Sequence, residues 1–543
     1  MTTDIDSHAP GGHGLNLHRT ITWKHAFWLA AGAPALVLFT LGPVSSTVGP
    51  LSPVVWIVSA CCALLQAFAY AEISGMFPNK SGGASVFGAV AWVRYGKILG
   101  PISVWVNWLA WSPVIAIGVS LAGYYLIDIL FAAGAPARQW EITLVNLGFL
   151  QEGLRLRIDA VYLAAWLMVL IVFGIQHRGI LRAARAQIAL AVVALIPLFA
   201  IALSPLLTDS FDWSNLFPLL PLLPSSDGQV HYAQWDGLGV SILLAAFFGA
   251  SYATYPFETA VCYTREFRDP GKDTYRAIMS AGILALLVFS IVPLAFQGVL
   301  GVEALLAPGI ISGTEIGSAM ATMVGGGVIT KTIIVGFLIM TLLFSVSTAM
   351  AGSSRTLYQG GVDGWLPRYL GRVNNKGAPV AAMMTDLVFN MLLLLLNDII
   401  FLLVVSNVTY LFFVFMNLQS GWLHRIDRPT TPRPYRAPDW LIAVGAMLGF
   451  VNMFLLGAGG AFWAPSALAV GVFASLMILP VFWWRHYVQD GGVFPNQMED
   501  DMHLRASGMD QPQTRAGMLP YAALLGGGMM AVAGYWFVAS HVS

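Results

Sequence analysis

The sequence predicts an all-α polytopic membrane protein whose core holds two five-span repeats, inserted upside down relative to each other. The first observation is composition: of 543 residues, 57% are hydrophobic and only 10% are charged. The second is that apolar runs of roughly 20 residues recur along the chain, which is the length that crosses a bilayer. The third is that the first and sixth runs are both interrupted, five runs apart, and an odd number of spans inverts the second repeat.

Thirteen apolar segments divide the chain. Twelve of them form the predicted core at 21–485, which follows an N-terminal tail at 1–20. A polar linker at 486–516 leads to an additional C-terminal helix at 517–543. The repeats take up about 24–206 and 238–422. The predicted core spans are 24–48, 52–76, 100–131, 159–176, 186–206, 238–263, 277–300, 329–355, 378–397, 399–422, 439–460 and 465–485.

The positions of Lys and Arg orient these spans, because basic residues favour cytoplasmic loops. With the N-terminus inside, the inside loops carry basic clusters, whereas the outside loops at 207–237 and 302–328 contain no Lys or Arg. The one dissenting loop, 132–158, carries three arginines. The sequence therefore predicts a multi-pass protein of the cell membrane with its N-terminal tail and its linker in the cytoplasm.

The two interrupted helices are the strongest functional signal. Pro34 lies near the middle of the first span, where it removes a backbone donor, and the stretch 251–256 interrupts the sixth span likewise. In lipid, freed backbone groups are costly unless protein, water or a ligand satisfies them. One kink is usually packing, but breaks in corresponding positions of two halves indicate the central site of a transporter.

The sequence argues against several other classes of protein. Cys61, Cys62 and Cys262 lie in apolar segments without a spaced set of Cys and His, which argues against a disulfide framework or a zinc site. The chain lacks a His-Glu-x-x-His motif, a Gly-x-Ser-x-Gly turn and a phosphate-binding loop ending in Lys-Ser/Thr. We therefore expect that the protein is neither an enzyme nor an ATP-driven pump, and that it binds no cofactor.

Four stretches resemble the amino acid–polyamine–organocation (APC) superfamily of permeases. FETAVCYTREFRDPGKDTYRAI, at 257–278, is similar to the sixth-helix signature of that family. YAEISGMFPNKSGGASVFGAVA at 70–91 is similar to the end of the second helix and its loop. SSRTLYQGGVDGWLPRYLGRVNNKGAPVAA at 353–382 and RPYRAP at 433–438 resemble the links before the ninth and eleventh helices. Together they indicate the family more specifically than any one alone.

The resemblance implies a twelve-helix inverted five-plus-five repeat transporter fold, with the thirteenth helix beyond it. It also implies a secondary active transporter that moves an amino acid or a related amine by alternating access, as a symporter or an antiporter. The substrate would bind between the broken helices, where helix N-termini face its carboxylate and free carbonyls face its ammonium group. The substrate-binding residues carried over are Gly32, Ala33, Pro34, Ala35, Trp108, Ser112, Tyr252, Ala253, Thr254 and Tyr255.

Glu258 and Tyr252 are the predicted gating residues. By the resemblance, Glu258 takes the position of a helix-six glutamate linked to protonation and gating, and Tyr252 that of an aromatic which closes over substrate. An intramembrane carboxylate is costly unless it is protonated or partnered, so a functional role is the default. The alternatives are a structural acid that bonds the broken helix and, for Tyr252, ordinary packing.

The coupling ion is left open between H⁺ and Na⁺. Ser347 and Thr348 of the eighth helix would supply the hydroxyls that hold Na⁺ in sodium-coupled relatives of the fold, although such residues also join membrane helices. A lysine of many proton-coupled members is replaced here by Ala194, which argues against lysine-based coupling. The first helix also lacks the usual Gly-Ser-Gly-Ile-Phe run, which leaves carboxylate binding to backbone N–H groups.

Two alternatives stand beside the transporter. The same fold serves a channel-like protein or a sensor subunit, which would bind without counterflow. The thirteenth helix, with LLGGGMMAVAG, joins two copies into a homo-oligomer or packs on its own chain. The expected partners are a small-molecule substrate and the lipid bilayer, without nucleic acid.

Overall fold

Helices dominate the structure, a computed structural model that describes residues 17–132, 134–223, 230–253, 257–396, 398–502 and 514–542, without the side chains of Ser85, Tyr252 and Ala253. The named strands in this described part form two short antiparallel pairs. These are β1 (Glu141–Asn146) with β2 (Arg155–Asp159), and β3 (Leu222–Leu223) with β4 (His231–Tyr232). The predicted all-α class is confirmed.

The first half of the bundle contains seven of the helices that matter here. They are α1 (Trp23–Ala30), α2 (Val37–Val48), α3 (Ser52–Gly75), α4 (Ala84–Trp92), α5 (Leu99–Leu130), α6 (Ala160–Gln176) and α7 (Ile180–Leu207). Polar caps set their starts where the sequence provides them. Asp159, for example, accepts a hydrogen bond from the backbone N–H of Tyr162 at 2.7 Å and so begins α6.

The second half repeats this mixture of long and short helices. They are α8 (Gly237–Ala253), α9 (Phe257–Val261), α10 (Pro270–Leu305), α11 (Ile316–Met323), α12 (Val328–Val362), α13 (Val380–Leu393), α14 (Ile399–Asp427), α15 (Asp439–Trp463), α16 (Pro465–Leu476), α17 (Ile478–Trp483), α18 (Asn496–Asp501) and α19 (Leu519–Val542). A π-helical turn, Trp484–Gln489, extends α17.

Nine helical segments of the described chain are long and apolar enough to cross a membrane. Three shorter apolar helices, Ala160–Gln176, Gly237–Ser251 and Val380–Leu393, accompany them. Every predicted span falls on one or more of these helices, because each apolar run must satisfy its backbone internally and does so as a helix. The number of crossings, the domain boundaries and the repeat symmetry stay predictions.

We name the two ends of the bundle by the residues that they carry. The N-side end carries Lys80, Glu266 and Arg355, together with the bridge between Ile21 and Phe267. The far end carries the β1–β2 hairpin and the start of α14. Between the two ends, buried apolar side chains form one nearly continuous core, while many large apolar side chains face outward. An outer surface of that kind suits lipid.

Candidate substrate and ion site

The first predicted interruption is a change of helix type. The α-helical pattern of α1 ends at Ala30, a 3₁₀ turn follows over Ala33–Leu36, and α2 then begins. Pro34 is at the centre of this change, because it has no N–H to continue the α-helical ladder. The four predicted binding residues in this segment are all buried: Gly32, Ala33, Pro34 and Ala35.

Gly32 lies directly against α12. A Cβ atom at this position would lie 2.4 Å from Thr348 Oγ1 and 2.5 Å from the carbonyl oxygen of Phe344. Both distances are far inside van der Waals contact, and the second atom is backbone. The break therefore packs so closely on α12 that only glycine fits at position 32.

The second predicted interruption, at 251–256, falls between α8 and α9, and its residues 254–256 lie outside the described residues. Two of the predicted binding residues, Thr254 and Tyr255, lie outside the described residues, as do the side chains of Tyr252 and Ala253. Before the break, Asn407 Nδ2 of α14 donates to the carbonyl of Phe248 at 2.5 Å. After it, Glu258 is the second residue of the five-residue helix α9.

Glu258 is buried among aromatic donors. Its side chain is 3% exposed. The indole N–H of Trp111 donates to Oε2 at 3.3 Å, the hydroxyl of Tyr410 donates to Oε1 at 3.3 Å, and the hydroxyl of Tyr70 also faces the carboxylate. These partners are neutral, so the carboxylate is held by hydrogen bonds rather than by an ion pair.

Trp108 and Ser112, which are predicted to bind substrate, hydrogen-bond to α13 in this structure, and their role in binding stays a prediction. The indole N–H of Trp108 donates to Asp386 Oδ1 at 2.9 Å, and the hydroxyl of Ser112 donates to the same oxygen at 2.5 Å. Ser353 of α12 donates to Asp386 Oδ2 at 2.5 Å. Three helices therefore meet at one carboxylate.

Asp386 is a candidate functional residue that sequence reasoning missed. It is fully buried and is the only charged-type residue in α13. That lone acid in the apolar run VAAMMTDLVFNMLL was the available signal, since intramembrane carboxylates are rare and costly. Asn390, one turn later, supports the cluster by donating to Ser112 Oγ at 2.7 Å.

The predicted Na⁺ ligands, Ser347 and Thr348, are close to the first break but already have partners. Thr348 Oγ1 donates to the carbonyl of Leu29 in α1 at 2.8 Å and accepts from Gln187 Nε2 at 2.7 Å. Gln176 Nε2 donates to Ser347 Oγ at 2.8 Å and to the Ser347 carbonyl at 3.1 Å. Amide N–H groups thus hydrogen-bond to the hydroxyl and carbonyl oxygens that would otherwise coordinate a cation.

Buried ion pairs close the N-side end below these groups. Arg355 Nε and Nη2 donate to the two carboxylate oxygens of Glu266 at 2.6 and 3.1 Å, and both side chains are nearly inaccessible. Lys80, in the loop after α3, pairs with Asp363 and Asp501 at 2.7 Å each. Burial alone would lower the pKa of the Lys80 ammonium, but the two carboxylates raise that pKa above its usual value, so Lys80 stays charged at neutral pH.

The space between the outer halves of the broken helices is small in this conformer. A cavity of about 10 Å³ lies between α2, α8 and α14, with Thr40, Val44, Phe248 and Gly249 in its wall. This volume holds about one water molecule. The described parts of α2, α8 and α14 therefore pack closely around this cavity.

Residues 21–484 match the family model described as amino acid permease. The chain belongs to that family. It is 22% identical over 444 residues to the branched-chain amino acid permease of Lactococcus lactis subsp. cremoris, which covers 78% of this chain and 86% of the relative. It is also 23% identical over 501 residues to the Mus musculus large neutral amino acids transporter small subunit 2, covering 88% and 83%. The permease prediction is confirmed, and the protein is an amino acid transporter of the membrane rather than an enzyme.

Proposed function

We propose that this permease transports large neutral amino acids, including the branched-chain ones, by alternating access. The substrate binds between the α1–α2 break and the α8–α9 break, with its carboxylate on backbone N–H groups and its ammonium group on free carbonyls. The names of the relatives support this substrate class: a branched-chain amino acid permease and a large neutral amino acids transporter.

One observation carries the proposal for a neutral side chain. In the two broken segments, 26–48 and 237–261, Glu258 is the only residue of a charged type. The described bonds already commit its carboxylate to Trp111 and Tyr410. A substrate with a charged side chain would need a fixed opposite charge in this low-dielectric region, and these segments offer none besides Glu258.

The coupling ion in this proposal is H⁺, bound by Glu258. Trp111 and Tyr410 donate to its carboxylate, and no Lys or Arg pairs with it among the described residues, so the carboxyl group can bind a proton without displacing a cation. The Gln176 and Gln187 amides beside Ser347 and Thr348 support protons over Na⁺, because they occupy the oxygens of the alternative site.

Orientation and assembly stay predictions within this proposal. The N-side end faces the cytoplasm of the cell, as the loop charges predict. For α19, Gly534 packs against the backbone of Phe454 and Gly527 against the Phe415 ring, so these two of the small residues predicted for self-association contact the same chain. The opposite face of α19, with Leu525, Met529 and Trp536, is exposed, and lipid or a second copy would cover it.

Counterflow in liposomes tests the substrate class. Purified protein is reconstituted with unlabelled leucine inside, and uptake of labelled leucine, isoleucine, valine and phenylalanine is compared with uptake of arginine and glutamate. We expect exchange of the neutral set and little exchange of the charged pair. Folded protein that exchanges none of them, or that prefers the charged pair, would overturn the proposal.

Gly32→Ala tests the location of the site. The added methyl group would collide with Thr348 Oγ1 and the Phe344 backbone, so we expect loss of leucine counterflow and of stabilisation by leucine. Gly336→Ala is the matched control. Gly336 is on α12, the helix against which Gly32 packs, and a Cβ atom at Gly336 meets nothing within 4 Å. If Gly32→Ala exchanged leucine like the control, the substrate would have to bind elsewhere.

A further inference from the structure

Asp386 lies in the interior of the bundle without a cation beside it. It is the seventh residue of α13, about 9 Å along the helix from its N-side start at 1.5 Å per residue. Its side chain is 0% exposed. A carboxylate in such a place is costly to maintain, and the permease family assignment by itself gives it no role.

Neutral groups of two neighbouring helices hydrogen-bond to Asp386. They are Trp108 and Ser112 of α5 and Ser353 of α12. The charged residues of those two helices lie elsewhere: Asp128 pairs with Arg138 at the far end, Arg355 pairs with Glu266, and Lys331 is exposed in the first turn of α12. The 3₁₀ turn Arg368–Gly371 contributes Arg368, which pairs with Asp490, while α6 contains no charged residue.

The hydrogen bonds of the cluster can accommodate both protonation states. In the ionised state, Oδ1 accepts from Trp108 and Ser112, and Oδ2 accepts from Ser353. Ser353 Oγ also lies 3.4 Å from the carbonyl of Met350, which is a second acceptor for its hydroxyl. If Oδ2 takes up a proton, it donates to Ser353 Oγ, and the Ser353 hydroxyl turns to Met350.

The same cluster is connected to the proposed transport site through two helices. On α5, Trp108 and Trp111 are three residues apart and on one face, so a single helix bonds both Asp386 and Glu258. On α12, Ser353 bonds Asp386 and Arg355 bonds Glu266. A change in the bonds of Asp386 therefore acts on the two helices that bond Glu258 and Glu266.

We propose that Asp386 is a second proton-binding site, which controls the position of α12 and α5 during transport. A hydronium ion gives its proton to Oδ2, an O–H bond forms, and water leaves; the reverse step returns the proton. This inference rests on the proposed proton-coupled amino acid transport, with Glu258 and Asp386 titrating as two separate groups.

The test measures leucine counterflow at equal inside and outside pH, from about pH 5 to about pH 8. We expect the wild-type rate to change at least about fivefold over this range, at the lower end of ordinary coupling between two sites. Asp386→Asn should remove one of the inflections of that profile while Glu258→Gln leaves it in place. Asp209→Asn is the control, since Asp209 is exposed in a loop with positive φ, which asparagine tolerates.

Ser353→Ala tests the same site with the carboxylate intact. Removing this hydroxyl takes away a donor to the ionised state, so the inflection assigned to Asp386 should move to higher pH. An unchanged profile in both Asp386→Asn and Ser353→Ala would overturn the inference, as would an Asp386→Asn profile that loses the inflection assigned to Glu258. If Asp386→Asn does not fold, Ser353→Ala alone decides between the two outcomes.

An infrared titration separates this inference from the proposed function. The carbonyl band of a protonated carboxyl group should appear on acidification of the wild type and lose one component in Asp386→Asn, whether or not leucine is exchanged. Absence of leucine counterflow in the wild type would refute the substrate proposal alone. Absence of the Asp386 component at every pH in the wild type would refute the second proton site alone.

Discussion

At the N-side end of the bundle the Arg355–Glu266 and Lys80–Asp363 pairs are buried, whereas the ion pairs described at the far end are partly exposed to solvent. Arg355 and Glu266 are 4% and 0% exposed, and Lys80 and Asp363 are 1% and 0%. At the far end, Arg138 and Asp128 are 22% and 33% exposed, and Glu141 pairs with Arg155 and Arg157 in the open hairpin. Charges without solvent depend on their partners far more than charges that water can reach.

The two ends also differ in the space that they leave. A cavity of about 450 Å³ opens at the far end between the hairpin, α5 and the start of α14, with Tyr124, Trp140 and Asp398 in its wall. At the N-side end, α18 packs across the bundle and buries Met498 completely. The described residues are therefore packed more closely at the N-side end than around the cavity at the far end.

Among the variants that test the difference between the two ends, Arg355→Met should lower the stability most. It leaves Glu266 buried without its cation, which costs about 3–5 kcal/mol in comparable cases. We expect a lower melting temperature in detergent and faster alkylation of Cys262, which is buried near this pair, in a background with Cys61→Ser and Cys62→Ser.

Replacing both partners, with Arg355→Met and Glu266→Leu together, should restore most of the melting temperature because no charge is then left unpaired. If the single variant were as stable as the double one, the pair would not hold this end closed.

The helices and the first break could largely be predicted from the sequence. Apolar runs of bilayer length leave the backbone no alternative to a helix, which is why the predicted span at 100–131 corresponds to Leu99–Leu130. The break at Pro34 follows from its missing donor, whereas the break expected at 251–256 from its polar residues and Pro256 stays a prediction. The length of an apolar run and the position of a proline are properties of a short stretch of chain, so they can be recognised in one sequence without knowing how the helices pack.

The partners within the site could not be predicted in the same way. Periodicity shows that Trp108, Trp111 and Ser112 are on one helix, but not which neighbour each of them contacts. Trp111 bonds Glu258 of α9, whereas Trp108 and Ser112 bond Asp386 of α13, which lies nearly 280 residues later in the chain. Likewise, Thr348 could be assigned to a cation site from its hydroxyl, but Gln187 reaches it only because α7 packs on α12.

Asp501→Asn should have an intermediate effect. Lys80 would keep Asp363 as a partner, and Asp501 is 21% exposed, so the loss should be about 1 kcal/mol. We expect a small decrease in melting temperature and modestly faster alkylation of Cys262, because α18 is held less firmly. The neighbouring Asp500→Asn, at an exposed position, is the control. An effect as large as that of Arg355→Met would mean that α18, rather than the Arg355–Glu266 pair, is the main closure of the N-side end.

Arg138→Gln, at the far end, should have the smallest effect. Arg138 Nη2 lies 2.9 Å from Asp128 Oδ1, but both side chains are partly in water, where such pairs contribute about 0–1 kcal/mol. The effect of salt on the melting temperature distinguishes the two ends more clearly. At about 1 M salt the screening length falls to about 3 Å, so the difference between Arg138→Gln and wild type should vanish, while the loss in Arg355→Met should persist because its pair is shielded from ions. Melting temperatures of both variants at low and high salt measure this directly. A loss in Arg138→Gln that equals that of Arg355→Met and resists salt would show that the two ends are held by the same kind of interaction.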